Sequence, residues 1–165
     1  HTGRPLARRL GYDGSLVDAL PDAAENRRFV TELVQTLADR TPVVLLHTGI
    51  RFDEHGEFTQ AERARIHDAS QLMNARTNLA VQTGIVGRAE ALIATYGGFS
   101  YLGPLLRVRT LAFYSQPSAF RFDHLALAEQ VFRGVQGGAF VAMHRRDLGL
   151  VDVALGMGHQ PARVM

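Results

Sequence analysis

Apolar residues along this chain alternate between two spacings, and each change of spacing marks a new element. Phe29, Val30, Leu33, Val34 and Leu37 recur at helical spacing with charged residues between them. Asp22 can cap this segment, and Glu25 three residues on makes a capping box with Asp in the Ser/Thr place. Pro42 disfavours helix at Thr41, so the helix is expected to end near Arg40. Residues 42–47 (PVVLLH) form an unbroken β-branched and apolar run, the pattern of a strand buried on both faces. It stops at Thr48-Gly49, and the polar residues 50–63 read as a loop with a helical turn. A short extended piece is expected around Ile66-His67.

The second half repeats the alternation at shorter range. Asn78 starts a helix that runs to about Arg88, with Leu79, Ile85 and Val86 inward. Ala91–Thr95, Arg109–Tyr114 and Ala139–Met143 are three further buried-strand candidates. Between them lie a short helix with Tyr101, Leu102, Leu105 and Leu106, and a longer one capped by Asp123. The longer helix places Leu125, Ala128, Val131 and Phe132 on one side, and Gly137-Gly138 end it. Residues 1–20 read as an irregular lead-in, 21–150 as one domain, and 151–165 as a tail with at most a short helix.

Helices alternating with apolar strands predict an α/β fold. The expected form is Rossmann-like, a mainly parallel sheet of four or five strands with helices on both faces. Crossovers should be right-handed. Such sheets bind ligands beyond the carboxyl ends of their strands. That places function at Thr48-Gly49, at Tyr96 to Tyr101, and from Ser115 onward.

The segment ATYGGFSYL, residues 94–102, carries the most chemistry. A strand stops at a glycine pair and a helix begins at once. Gly97 and Gly98 allow close backbone approach to a ligand. Free N–H groups at a helix start, with the dipole behind them, attract an anion such as phosphate. Thr95, Ser100 and Tyr101 can add hydroxyl donors, and Tyr96 can stack on a base. A strand-to-helix turn that needs glycine for geometry alone is the competing reading.

Composition removes whole classes of function. The chain has 165 residues, 46% of them hydrophobic, and no cysteine, so disulfide scaffolds, cysteine zinc sites and thiol nucleophiles are excluded. All 18 basic residues are Arg, so the P-loop lysine is missing, and GxGxxG and GxSxG do not occur. A net charge of +2 with scattered Arg is no nucleic-acid footprint. No apolar run reaches the ~18 residues of a membrane span, and no charged-then-apolar leader is seen, so a cytoplasmic location is expected. The chain begins with His1 rather than Met, which reads as a processed chain or a piece of a longer one.

Weaker candidates have ordinary explanations. Asp53, Glu54, His55 and Glu57 read as a solvated loop, and no metal is expected. His47 reads as a structural histidine at a strand end. His124, in the first turn of its helix, can face the cleft. Arg51, Arg88 and Arg121 can each meet a phosphate. Ser70 and Ser115 lack a recognisable His/Asp constellation.

Residues 78–115, NLAVQTGIVGRAEALIATYGGFSYLGPLLRVRTLAFYS, resemble the donor-binding, C-terminal half of bacterial GT-B glycosyltransferases. Residues 25–49, ENRRFVTELVQTLADRTPVVLLHTG, fit the helix, strand and loop that open that half. The resemblance spans residues 22–148 and rests chiefly on the order of the pieces. It implies that Gly97, Gly98, Phe99 and Ser100 meet the diphosphate of a nucleotide sugar, with Thr48, Gly49 and Arg51 flanking the phosphate or sugar. It also implies a partner, either an N-terminal acceptor domain or a second copy of the chain, and no separate cofactor. Two departures stand out. The acid that holds the ribose in such domains lies soon after the glycine turn, whereas the next acid here is Asp123. Only about 20 irregular residues precede the first helix, so no acceptor domain is expected within this sequence. A non-catalytic binding domain of the same fold is the alternative. An epimerase-like enzyme is a third reading, but it needs carboxylates after a strand end, and none is found.

Overall fold

A computed structural model describes residues 23–46, 65–115, 117 and 120–156. The chain divides into two compact units, residues 1–81 and 82–165. The predicted Asp22 cap, the 50–63 loop, His47 and the 53–57 cluster lie outside the described residues.

In the first unit, helix α1 spans Ala23–Ala38 and strands β1 and β2 span Val43–Leu45 and Ile66–Asp68. The helix ends as its Pro42 demands, with the Arg40 and Thr41 amides both closing on the Leu37 carbonyl at 2.9 Å. Val34 and Ala38 on α1 pack with Ile66 into a small core that Val30, Val43 and Leu45 border. β1 and β2 are parallel, with Val43 opposite Ile66 and Leu45 opposite Asp68. β1 is shorter than its apolar run, and Val44 is exposed, so this strand is not buried on both faces as its sequence predicts.

Helix α2, Asn78–Val86, straddles the division. Asn74 opens it, its side-chain oxygen accepting from the Arg76 and Thr77 amides at 2.9 and 3.1 Å. Val86 is buried as predicted, but Leu79 stands exposed, and the other fully buried α2 residue is Gln82.

The second unit is built on β3 (Ala91–Thr95), β4 (Arg109–Tyr114) and β5 (Phe140–His144), all parallel, in the order β3-β4-β5. The fold is therefore α/β and roughly Rossmann-like. Its described strands number five, in ladders of two and three, where the sequence predicts one sheet of four or five. β4 lies between two partners, and Thr110 to Phe113 are all buried. Its continuous apolar run is thus explained by its central place.

Register sorts the side chains onto two faces. Leu92, Thr110 and Phe140 lie side by side on one, and Ile93, Leu111 and Val141 on the other. After β3 come a 3-10 turn, Gly98–Tyr101, and helix α3, Leu102–Leu105; after β4 comes α4, Phe122–Gly134. Both crossovers step in the same direction, so right-handedness puts α3 and α4 on one face. Gly103 of α3 sits against Thr110 and Leu92, and Phe132 of α4 lies 5.5 Å from Phe140, on that same face. A second 3-10 stretch, Arg145–Leu150, leads into α5, Val151–Ala154. The Arg109 guanidinium donates to the Leu155 carbonyl, which brings the end of α5 to the opposite face.

Two helix ends use the same device. After α3 the Val108 amide reaches the Gly103 carbonyl at 2.8 Å and the Arg107 amide the Pro104 carbonyl at 3.0 Å. After α4 the Gly137 amide reaches Phe132 at 2.7 Å and the Gln136 amide reaches Arg133 at 3.2 Å. Both are Schellman motifs, with Arg107 at φ 62° and Gln136 at φ 52° in the left-handed position that usually takes glycine. Gly137 closes the second motif through its amide, and Gly138 serves another purpose. A Cβ on Gly138 would lie 2.5 Å from the Val108 carbonyl oxygen, so glycine here permits backbone to meet backbone. Two expectations for α4 are corrected. Asp123 is not the cap: Arg121 holds that place without a side-chain bond, and Asp123 lies inside the first turn. Val131 is exposed rather than inward, because the buried stripe runs through Ala128 and Phe132.

Candidate functional site

The carboxyl edge of the three-stranded sheet gathers the predicted residues that can be located. Thr95 ends β3 and is exposed. The Tyr96 amide donates to the Phe113 carbonyl at 2.7 Å, extending the pairing with β4 by one residue. The chain then turns through extended Gly97 into the 3-10 turn at Gly98. Strand, glycine pair and helical turn follow in the predicted order. The helical part is short, a four-residue 3-10 turn continued by four residues of α3.

Ser100 shapes this turn. Its hydroxyl donates to the Gly97 carbonyl at 2.7 Å, and the Gly97 amide approaches the same hydroxyl at 3.3 Å. Ser100 is fully buried, so its hydroxyl braces the turn and does not face a ligand as predicted. The amides of Gly98 and Phe99 begin the 3-10 turn and meet no acceptor among the described residues. A Cβ on Gly97 or Gly98 would find nothing within 4 Å. Neither glycine holds the left-handed conformation. The packing of the chain itself therefore does not require glycine at either position, in contrast to Gly138.

Aromatic rings fill the space behind the turn. Tyr96 lies 4.7 Å from Phe120, and Tyr114 lies 4.4 Å from the same ring. Tyr101 packs on Phe132 and Phe140 at 5.8 and 5.6 Å. The Tyr101 hydroxyl donates to that of Tyr96 at 3.3 Å, and Tyr96 donates to the Arg121 carbonyl at 3.3 Å. Burial raises the Tyr96 phenol's pKa above its ordinary value, with the Tyr101 hydrogen bond and the Asp123 charge adding to it. Tyr96 and Tyr101 thus tie the glycine turn to the start of α4.

Arg121 and Asp123 form an exposed two-pronged pair, with Nε to Oδ1 at 3.0 Å and Nη2 to Oδ2 at 2.6 Å. This hydrogen bond from Arg121 lowers the Asp123 carboxyl to about 2. His124 is exposed, with Nε2 4.0 Å from the Asp123 carboxylate. Arg88, two residues past α2, donates back to the Gly84 carbonyl of that helix at 2.8 Å. Thr48, Gly49 and Arg51 lie outside the described residues.

One element of this edge had no place in the sequence reading. His144 ends β5 with Nε2 3.1 Å from the Ser115 carbonyl, while its Nδ1 accepts from the Arg146 amide at 3.2 Å. Those partners assign the proton to Nε2 and leave Nδ1 as the acceptor. The available signal was its place just past the predicted strand at 139–143; its pairing opposite Tyr114 comes from the sheet register. Among the described residues no group of three His, Asp or Glu is arranged to hold a metal, and no helix is long and apolar enough to cross a membrane. Compared with family models, with curated proteins and with solved structures, the chain matches none.

Proposed function

We propose that this chain binds the diphosphate of a nucleotide sugar at the turn after β3, as the donor-binding half of a GT-B-type glycosyltransferase. One observation carries the reading. Gly97 and Gly98 leave open space that the fold does not need, beside two amides with no described acceptor. Backbone N–H groups lining open space at the carboxyl edge of a parallel sheet suit a phosphate oxygen. In glycosyl transfer the same amides would stabilise the charge that develops on the leaving diphosphate. The acceptor and its general base would come from an acceptor domain or a second copy of the chain. A nucleotide-sugar donor would place the protein in the cytoplasm.

A second reading, a binding domain without catalysis, is favoured by a separate observation. The polar side chains at this edge are engaged with one another. Ser100 holds Gly97, Tyr101 holds Tyr96, His144 holds Ser115 and Arg146, and Arg121 holds Asp123. Calorimetry with a panel of nucleoside diphosphates tests the shared premise, and sugar hydrolysis or transfer assays separate the two readings. Gly98→Val should abolish binding, because its side chain would fill the open space. It should leave circular dichroism and melting nearly unchanged, since nothing of the chain lies within 4 Å of the new Cβ. Wild-type protein that binds no member of the panel sinks the diphosphate reading. Unchanged binding by Gly98→Val reduces the glycine pair to a structural turn.

A further inference from the structure

The row of rings at the carboxyl edge runs from the core to open solvent. Phe120 is 9% exposed and packs against both Tyr96 and Tyr114. Phe122 stands edge-on to Phe120, with centroids 4.7 Å apart and planes at 77°. Yet Phe122 is 74% exposed. The backbone between them explains the contact. Arg121 is extended, at φ −108° and ψ 95°, so residues 120 and 122 project to one side. As the first residue of α4, Phe122 has no preceding helical turn to cover it. Its ring is therefore supported from behind and open in front.

The position of this ring matters because of what lies at the other end of the row. Tyr96 immediately precedes Gly97. Two ring-to-ring steps of 4.7 Å, Tyr96 to Phe120 and Phe120 to Phe122, link the side chain of the residue before the glycine turn to the open ring. A nucleoside diphosphate has the matching two ends, an anion and a flat base, with a ribose between. We infer that Phe122 is the platform on which the base of the bound nucleotide stacks. This rests on the diphosphate reading of the Gly97–Phe99 turn. Stacking alone accepts any base, since every base presents a π-face. Arg121 and Asp123, on either side of Phe122, spend Nε, Nη2 and both carboxylate oxygens on each other, which leaves the Arg121 Nη1 donors to meet a base edge.

Calorimetry with two probes, a nucleoside diphosphate and inorganic pyrophosphate, tests the assignment on the full chain. Wild type should bind the nucleotide more tightly than pyrophosphate. Phe122→Ala should weaken nucleotide binding roughly tenfold to a hundredfold, the usual effect of removing one stacked ring, and leave pyrophosphate binding unchanged. Phe122→Leu, which keeps apolar bulk without a ring, should behave like Phe122→Ala. Phe122→Trp should restore affinity. It also introduces the chain's only Trp, whose fluorescence should be quenched by the nucleotide and not by pyrophosphate. Phe122 is exposed, so circular dichroism should show all three variants folded. Equal nucleotide affinity in wild type and Phe122→Ala overturns the platform, as does an unquenched Trp in a variant that binds. If pyrophosphate binds as tightly as the nucleotide, the platform falls while the diphosphate site stands. If neither probe binds wild type, both fall together.

Discussion

Replacing Gly138 with Ala should damage the fold far more than replacing Gly98 with Ala, although both residues sit in glycine pairs beside strands. A Cβ at Gly138 would lie 2.5 Å from the Val108 oxygen, 2.7 Å from its carbonyl carbon and 2.8 Å from the Arg107 carbonyl carbon. All three are backbone atoms, so no side chain can swing aside. The strand lead-in must move, which endangers the bonds from Gly138 to the Pro104 carbonyl at 2.9 Å and from the Thr110 amide to the Ala139 carbonyl at 2.8 Å. Overpacking costs about 1–3 kcal/mol, and each weakened hydrogen bond adds about 1 kcal/mol. A total of about 3–5 kcal/mol is expected, against a typical stability of about 5–15 kcal/mol. At roughly 2–4 °C per kcal/mol for a chain of this size, the melting temperature should fall by about 6–20 °C. Gly98→Ala meets nothing within 4 Å, and the gain in unfolded-state rigidity is below about 1 kcal/mol. Thermal and urea melts followed by circular dichroism read both variants. A fall of less than ~2 °C for Gly138→Ala, or equal falls for the two, would refute this reading of the glycine pairs, set against the shifts expected above.

Gln136→Gly should raise the melting temperature, because residue 136 sits at φ 52°, where a side chain costs about 1–2 kcal/mol and glycine costs little. Part of that gain is offset by glycine's greater freedom in the unfolded chain, and a lower melting point would contradict the motif. Asp123 should titrate near 2 by carbon-detected NMR, with Arg121→Ala returning it toward the ordinary carboxyl value of 3.8. Its folded-state pKa lies below the unfolded one. The pair's contribution to stability is therefore present above the unfolded value and is lost as pH falls from there through about 2. A wild-type midpoint at 3.8 would show that Arg121 does not hold the carboxylate in solution.

Local rules of the sequence decided the elements and their order. Alternation of helical and strand periods sufficed for α1, for β3, β4 and β5, and for α4, because each lays a distinct apolar stripe or run against a core. Pro42 ended α1, and the strand, glycine pair and helical turn at residues 95–101 could be read directly. Which side chains those elements bury depends on partners that no local pattern names. Leu79 and Val131 have helical spacing yet stand exposed, while Gln82 is buried. The β1 run is apolar enough for a central strand, but only β4 has neighbours on both sides among the described strands. The roles of the two glycine pairs could not be separated from sequence, since both read as turn signals. Tertiary contact separated them, by bringing the Val108 backbone against Gly138 and leaving Gly98 open. The same holds for hydroxyls: Ser100 and Tyr101 read as donors to a ligand, but the fold brings Gly97 and Tyr96 within reach first. A residue's chemistry is written in the sequence, whereas its availability depends on which neighbours the fold brings into hydrogen-bonding distance.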